Sequence, residues 1–404
     1  MSCRLAWASR PWAPFGRAAR GRRAGAFTVA LLAAAVQAFA PPAVASQPGA
    51  AAVGDASPRF AVVGGASTTA PPAVAPSASA RPFRGAPRDA DGRFLNRAGP
   101  IEQAGLAVTF PFFLRRAWTR LVGRPGAPER IANDGAFLRE NARHSVPTVT
   151  WIGHATVLVQ MDHVSFLTDP IWNERASPLA WVGPRRFVPP GLALEALPPI
   201  DFVLISHDHY DHLDLDTLVR LAERSPDTRF LVPLGNAALL RAAGIANVSE
   251  HDWGDVVRIA GVRVHCLPSQ HWSRRGVADL RARLWAAWAV IGEERRVYFT
   301  GDAGYSRDFA DAGAALGPFD LAIVPIGAYL PVEMMKPWHL DPEEAVRAGL
   351  ELRARQLLPI HFGTFDLSDE PLDEPPRRFR AAAEAAGFTG DAARVLRVGE
   401  TRAF

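Results

Sequence analysis

The stretch Phe202-Val203-Leu204-Ile205-Ser206-His207-Asp208-His209-Tyr210-Asp211-His212-Leu213-Asp214 constrains this chain more than any other. Its first four residues form a short, continuous apolar run, the pattern of a buried strand. Three imidazoles and the Asp211 carboxylate follow between His207 and His212. Along an extended backbone His207 and His209 point to one side, and Asp211 and His212 follow in the turn. Neutral imidazole and carboxylate suit Zn²⁺ and similar first-row cations. So many ligands in so few residues predict two metals. The competing reading is a His-rich polar loop with no ion. Burying several imidazoles beside carboxylates without a cation is costly, which weighs against it.

The first 45 residues are a different material. Six arginines (Arg4, Arg10, Arg17, Arg20, Arg22, Arg23) and no acid accompany an apolar run from Ala26 to Ala40, and Ala43-Val44-Ala45 gives a small-x-small cleavage pattern. This order predicts a signal peptide or membrane anchor over residues 1–45. The apolar run is short for a spanning helix, which needs about 20 residues, and Arg22-Arg23 matches a twin-arginine signal poorly. Export or membrane association is the expectation, with a cytoplasmic protein the alternative if translation starts downstream. The formal charge of +4 falls to −2 once the six leader arginines are set aside. The basic excess therefore lies in the leader, which argues against a nucleic-acid partner. Cys3 and Cys266 are the only cysteines, so neither a disulfide framework nor a Cys-rich metal site is expected.

Residues 46–95, rich in Ala, Pro, Ser and Gly, read as a disordered tether. Residues 96–147 read as an N-terminal extension packing on the core. Within it, residues 108–121 mix aromatics with arginines. They fit either a helix packed on the core or an apolar ridge facing a membrane, with Arg near lipid phosphates. Residues 148–404 have the pattern of an α/β domain. Strands are expected at 148–152, 156–159, 165–168, 202–206, 230–233, 262–267, 284–291, 296–300, 321–326 and 356–360. Helices are expected at 215–224 with Asp214 as N-cap, at 237–243 ending at Gly244, and at 342–351 capped by Asp341.

Three more polar residues, His271, Asp302 and His361, each follow an apolar strand. Strand ends are where a sheet presents side chains to a crevice. One His at such a place is an ordinary structural residue, but three ends together with the central cluster predict a site. His144, His163, His251 and His265 lack that setting and read as structural or surface residues.

The motif His207-x-His209-x-Asp211-His212, followed by His271, Asp302 and His361, resembles the metallo-β-lactamase superfamily. Further segments resemble the N-acyl-phosphatidylethanolamine-hydrolysing phospholipase D family. They include Trp151-Ile152-Gly153-His154-Ala155-Thr156, Leu167-Thr168-Asp169-Pro170, Gly183-Pro184-Arg185-Arg186-Phe187, Pro268-Ser269-Gln270-His271-Trp272, Gly301-Asp302-Ala303-Gly304-Tyr305 and residues 339–364. Together they span residues 148–400, in the same order as in that family.

The resemblance implies an αββα sandwich of two facing mixed sheets flanked by helices, with a dinuclear centre at one edge. His207, His209 and His271 would hold one zinc and Asp211, His212 and His361 the other, with Asp302 bridging. Mn²⁺ or Fe²⁺ would suit the same ligands. The implied activity is phospholipase D-like cleavage of a glycerophospholipid phosphodiester, such as N-acyl phosphatidylethanolamine, by a metal-bridged hydroxide. Asp211, Asp302 and His339 would be catalytic, His339 as donor to the phosphoryl or leaving oxygen. His154, Tyr210, Lys336 (the chain's one lysine) and Trp338 are candidate substrate contacts; the family carries Gln where Trp338 stands. Residues 171–190, with aromatics among arginines, fit a membrane-apposed rim or a loop folded on the core. A membrane surface is the expected partner, and a homo-oligomer stays open. The rival readings are a hydrolase of the same fold acting on a soluble ester, lactone or phosphate, and an exported, metal-stabilised binding protein.

Overall fold

The computed structural model describes residues 83–122 and 126–404. The expected leader over residues 1–45, and most of the expected tether, lie outside the described residues. Residues 83–95, read from sequence as tether, instead carry Phe83 and Phe94 into the core. Two aromatic side chains in an Ala/Pro-rich stretch are enough to pin it.

In chain order the elements are α1 Leu106–Val122, α2 Ala136–His144, β1 Thr148–Gly153, β2 Thr156–Met161, β3 Val164–Thr168, β4 Phe202–Leu204, α3 Leu215–Arg224, β5 Arg229–Pro233, α4 Ala237–Ala242, β6 Val248–His251, β7 Val256–Ile259, β8 Val262–Leu267, β9 Ala287–Ile291, β10 Arg296–Phe299, α5 Asp308–Leu316, β11 Leu321–Pro325, α6 Val332–Met335, α7 Pro342–Glu351, β12 Gln356–Ile360, α8 Glu374–Ala385 and β13 Thr401–Ala403. No helix among the described residues is long and apolar enough to cross a membrane.

The strands form two sheets, ordered β13-β1-β2-β3-β4-β5-β6 and β12-β11-β10-β9-β8-β7. Each is mixed: β13 to β3 and β7 to β10 pair antiparallel, while β3 to β6 and β10 to β12 pair parallel. Strand alternation sorts side chains between two cores. Phe202 and Leu204 of β4 face the second sheet, with Trp151, Val157, Trp288 and Ile323. Val203 and Ile205 face outward and pack with Leu218 and Leu221 of α3 and Leu240 of α4. On the second sheet's far side, α5, α7 and α8 bury Phe309, Ala345 and Phe379. Because both faces of the central strands are covered, their sequences are continuous apolar runs rather than alternating ones. The result is the four-layer αββα sandwich.

Helix ends are set by local chemistry. α7 begins in a capping box, with the Asp341 carboxylate accepting from Glu344 N and Pro342 opening the first turn. Asp214 stands at the N-cap position of α3, but its carboxylate does not cap backbone there. It accepts instead from the Thr217 hydroxyl and the Asn173 side chain, fastening α3 to the 171–190 loop.

Candidate metal centre

The site forms where β4, β8, β10 and β12 end together, at the meeting edge of the two sheets. Several chain turns just past strands are left-handed: His154 (φ 54), Asp169 (φ 34), His361 (φ 61) and Gly301 (φ 61). Such conformations are strained for residues with a Cβ and persist where surroundings over-determine them. They stand where the chain leaves the strands and the site residues begin. At Gly301 a Cβ would lie 2.4 Å from Ser206 Cβ. Only glycine lets the Asp302 turn approach the His207 loop this closely.

His207, His209 and His271 bring three nitrogens together: His207 Nε2 lies 2.8 Å from His209 Nδ1, which lies 3.3 Å from His271 Nε2. Asp211, His212 and His361 form a second group, joined by His154, whose Nε2 is 2.9 Å from Asp211 Oδ2. Asp302 stands between them. Its Oδ2 is 3.1 Å from His212 Nε2, 3.9 Å from His271 Nε2 and 4.0 Å from His207 Nε2, while its Oδ1 is 3.2 Å from His361 Nε2. His339 Nδ1 lies 3.7 Å from Asp302 Oδ2.

The donor set fits cations. Among the described residues, His212 Nε2, His361 Nε2 and Asp302 Oδ1 are buried without a well-aligned hydrogen-bond partner. Unpaired polar atoms at that depth are costly, and the donor atoms in each group lie within 4.8 Å of one another. The opposite ring nitrogens are fixed from behind. His212 Nδ1 meets Asp169 Oδ2 at 2.6 Å, His207 Nδ1 meets Ser206 Oγ at 2.9 Å, and His271 Nδ1 meets the Trp338 carbonyl at 3.0 Å. Such partners set tautomer and ring orientation for metal binding.

Burial, then the neighbouring imidazoles, pushes His207 far below the ordinary histidine range, so its nitrogen stays neutral. Burial takes His271 the same way. Burial works against charge at Asp211 and Asp302 too, yet His212 and its neighbours hold both well below the carboxylate range. His361 rises to about 9 despite burial because Asp302 and Asp211 face it. Two carboxylates, Asp211 and Asp302, thus face two imidazoles whose affinity for a proton they raise, His212 and His361. Bound cations would displace such protons.

The loop carrying four of the candidate ligands is stapled from outside. Arg275 Nη1 donates to the carbonyls of Asp208 at 2.7 Å and Leu213 at 2.8 Å, bracketing the loop. Its guanidinium lies 4.0 Å from the Tyr210 ring centroid, and the Tyr210 hydroxyl donates to the Arg275 carbonyl. The buried Asp208 carboxylate takes Arg283 Nε at 2.6 Å and Arg274 N at 2.8 Å.

Two of the expected substrate contacts have partners within the chain: Tyr210 meets Arg275, and Lys336 pairs with Asp341 and Glu344 at the cap of α7. The 171–190 loop mostly folds onto the core. Trp172 donates to the Leu192 carbonyl and Arg186 to Ile171 and Asn173, leaving Trp181 exposed. Asp169, Ser206, Asp208 and Arg275 were missed as site residues. Asp169 follows β3 directly, so the strand-end pattern that marked His271, Asp302 and His361 marks it too.

A cleft opens over the cluster. His209, Asp211, Asp302, His339 and His361 form its polar floor, and Trp272, Met334, Met335, Trp338, Leu367 and Ala104 its apolar walls. Trp272 and Trp338 stand 6.3 Å apart. A small polar constellation under apolar walls suits a ligand with a polar reacting group and an apolar body.

The family model described as "Beta-lactamase superfamily domain" matches residues 165–362. An uncharacterized protein of Mycobacterium tuberculosis is 41% identical over 323 residues, covering 75% of this chain and 81% of the relative. The N-acyl-phosphatidylethanolamine-hydrolyzing phospholipase D 1 of Caenorhabditis elegans is 45% identical over 238 residues, covering 56% of this chain and 67% of the relative. Among solved structures, an isothiocyanate hydrolase from Delia radicum gut bacteria aligns with a TM-score of 0.51 at 21% identity, covering 64% of this chain and 98% of that one. This last likeness concerns the fold alone.

Proposed function

Because this chain belongs to the metallo-β-lactamase superfamily and is a metal-dependent hydrolase of that fold, we propose that it is a phospholipase D-type enzyme, cleaving the head-group phosphodiester of a glycerophospholipid such as N-acyl phosphatidylethanolamine with two zinc ions. The observation that carries this reading is the pairing of floor and walls in one cleft. Seven candidate ligands, His207, His209, Asp211, His212, His271, Asp302 and His361, include only two carboxylates. Two divalent cations would leave a local excess of positive charge, which suits an anionic phosphodiester. The walls of Trp272, Trp338, Met334, Met335 and Leu367 suit the acyl chains beside it. The likeness to the Caenorhabditis elegans phospholipase D 1 supports the same substrate class.

In this reading His207, His209 and His271 would hold one zinc, Asp211, His212 and His361 would hold the other, and Asp302, between the two groups, would serve both. Cations bound there supply Lewis acidity toward the phosphoryl oxygens and a water nucleophile near neutral pH. The chain's own residues do the rest. His154 orients Asp211 through Nε2, and Asp169 orients His212 through Nδ1. Burial pushes His339 down to about 4, so its ring is neutral at pH 7 and able to donate to a phosphoryl or leaving oxygen. The apolar walls exclude bulk water. Water adds to phosphorus and the P–O bond to the ethanolamine oxygen breaks; the proton given up by the attacking water ends on that oxygen, which leaves as N-acylethanolamine, and phosphatidate keeps the oxygen of the water.

His212→Ala and Asp302→Ala test the assignment. Each is expected to abolish hydrolysis of N-acyl phosphatidylethanolamine while circular dichroism keeps the native α/β signature. Undiminished turnover in either variant would contradict it.

A further inference from the structure

α1 is built inside out. The residues it turns toward the domain, Thr109, Phe112 and Arg116, include two polar side chains, and buried Arg116 pairs with Asp366 and Asp369 just beyond β12. The line spaced by four residues on the other side, Leu106, Phe110, Leu114 and Trp118, is 71%, 64%, 56% and 64% exposed. A surface helix of a soluble domain has the reverse arrangement. Exposed apolar residues scattered singly are normal, but a contiguous stripe marks an interaction surface. This one runs about 18 Å along the helix.

Its position is equally specific. Gln103 and Ala104, at the foot of α1, line the cleft over the metal cluster. α6, which supplies Met334 and Met335 to the same cleft, packs against α1. From Gln103 to Pro128 the sequence holds four arginines and no acidic residue, two of the arginines, Arg115 and Arg116, pairing with Asp369 and Asp366 of the domain.

We propose that α1 is a membrane-docking helix whose apolar stripe seats in an anionic phospholipid surface, bringing the mouth of the cleft against the lipid head groups. An apolar helix face carrying Phe and Trp, on a segment whose sequence holds arginines and no acid, has the composition of an interfacial helix. A second copy of the chain fits less well. Four such side chains, at up to about 200 Å² each, expose roughly 500 Å², whereas a stable dimer buries about 800 Å² per partner. The inference builds on the phospholipase reading, but the two fail separately.

The test uses the full chain with Cys3→Ser, carrying an environment-sensitive NBD fluorophore on Phe110→Cys; Cys266 is buried. Vesicles of phosphatidylglycerol and phosphatidylethanolamine are expected to raise the emission several-fold and shift it to the blue, with a weaker response to phosphatidylcholine alone. The same label on Val256→Cys, exposed on β7 at the opposite edge of the second sheet from β12, is expected to stay unchanged. The label reads its own surroundings, so anchoring by the leader does not mimic the result.

The proposal is overturned if the Phe110 label ignores anionic vesicles, or if the Val256 label responds equally. Blue emission before any lipid is added overturns it too, marking cover by another segment of this chain or, if concentration-dependent, by a second copy. Insertion without turnover of N-acyl phosphatidylethanolamine sinks the substrate reading and leaves the docking helix. Turnover of vesicle lipid with an unresponsive label does the opposite.

Discussion

Arg275 shows how far a single residue outside the ligand set reaches. One of its nitrogens holds the carbonyls at both ends of the loop from Asp208 to Leu213, and its neighbour His271 belongs to the same strap of chain. Residues behind metal ligands typically change metal affinity by about 10–100-fold. Arg275→Met is therefore expected to raise the zinc concentration for half-saturation by about that factor in a chelator competition, while Arg275→Lys, which keeps a charged donor, recovers much of it. A folded Arg275→Met protein with unchanged zinc affinity would remove the staple from this account. At this scale the seven candidate ligands were legible because each sits at an apolar strand's end or within one dense motif. Tyr210 and Lys336 were not, since a residue's chemistry does not reveal which way it turns. Tyr210 stands among ligands yet bonds to Arg275, and Lys336 stands near His339 yet serves a helix cap.

The elements differ in how plainly they are written. α3, α7, β8 and β12 follow the sequence boundaries because caps and unbroken apolar runs define them. β6, β7, β13, α5 and α8 carried no such signal. β7 is a four-residue edge strand with Val256 exposed, and β13 exists through its pairing with β1 far away in sequence. α5 is rich in Ala and Gly, and α8 opens with Pro375 and Pro376, so neither has a clear apolar period. The stripe on α1 was visible, but whether it faced the core or solvent depended on Asp366 and Asp369, some 250 residues on.

β8 also makes an element-scale prediction. Burial, with Arg263 nearby, pushes His265 down to about 4, and its Nε2 is buried without a partner. In the unfolded chain it titrates near 6.5. The unfolded state therefore binds more protons between these values, so the His265 contribution is full above about pH 6.5 and is lost as pH falls toward 4. His265→Phe is expected to narrow the fall in Tm between pH 7 and pH 5. An unaltered difference would mean that His265 titrates in the folded protein as freely as in the unfolded chain.

At the scale of the whole molecule, neither sheet holds the site alone. β4 brings the dense motif from the first sheet; β8, β10 and β12 bring His271, Asp302 and His361 from the second; and the core between the sheets fixes their separation. The extension contributes from a third direction. Asn96 Oδ1 accepts from His271 N at 3.0 Å, and α1 begins at the rim of the cleft. A polar floor, apolar walls and an outward-facing apolar helix are together the features on which the proposed lipid substrate rests. The most direct measurement is product analysis with the purified chain and parallel metal determination. The panel holds N-acyl phosphatidylethanolamine, phosphatidylcholine, a soluble phosphodiester and a lactone. Release of N-acylethanolamine and phosphatidate, with about two zinc ions per chain, is the predicted result. Turnover confined to the soluble phosphodiester or the lactone would contradict the phospholipase account while leaving the metal site in place.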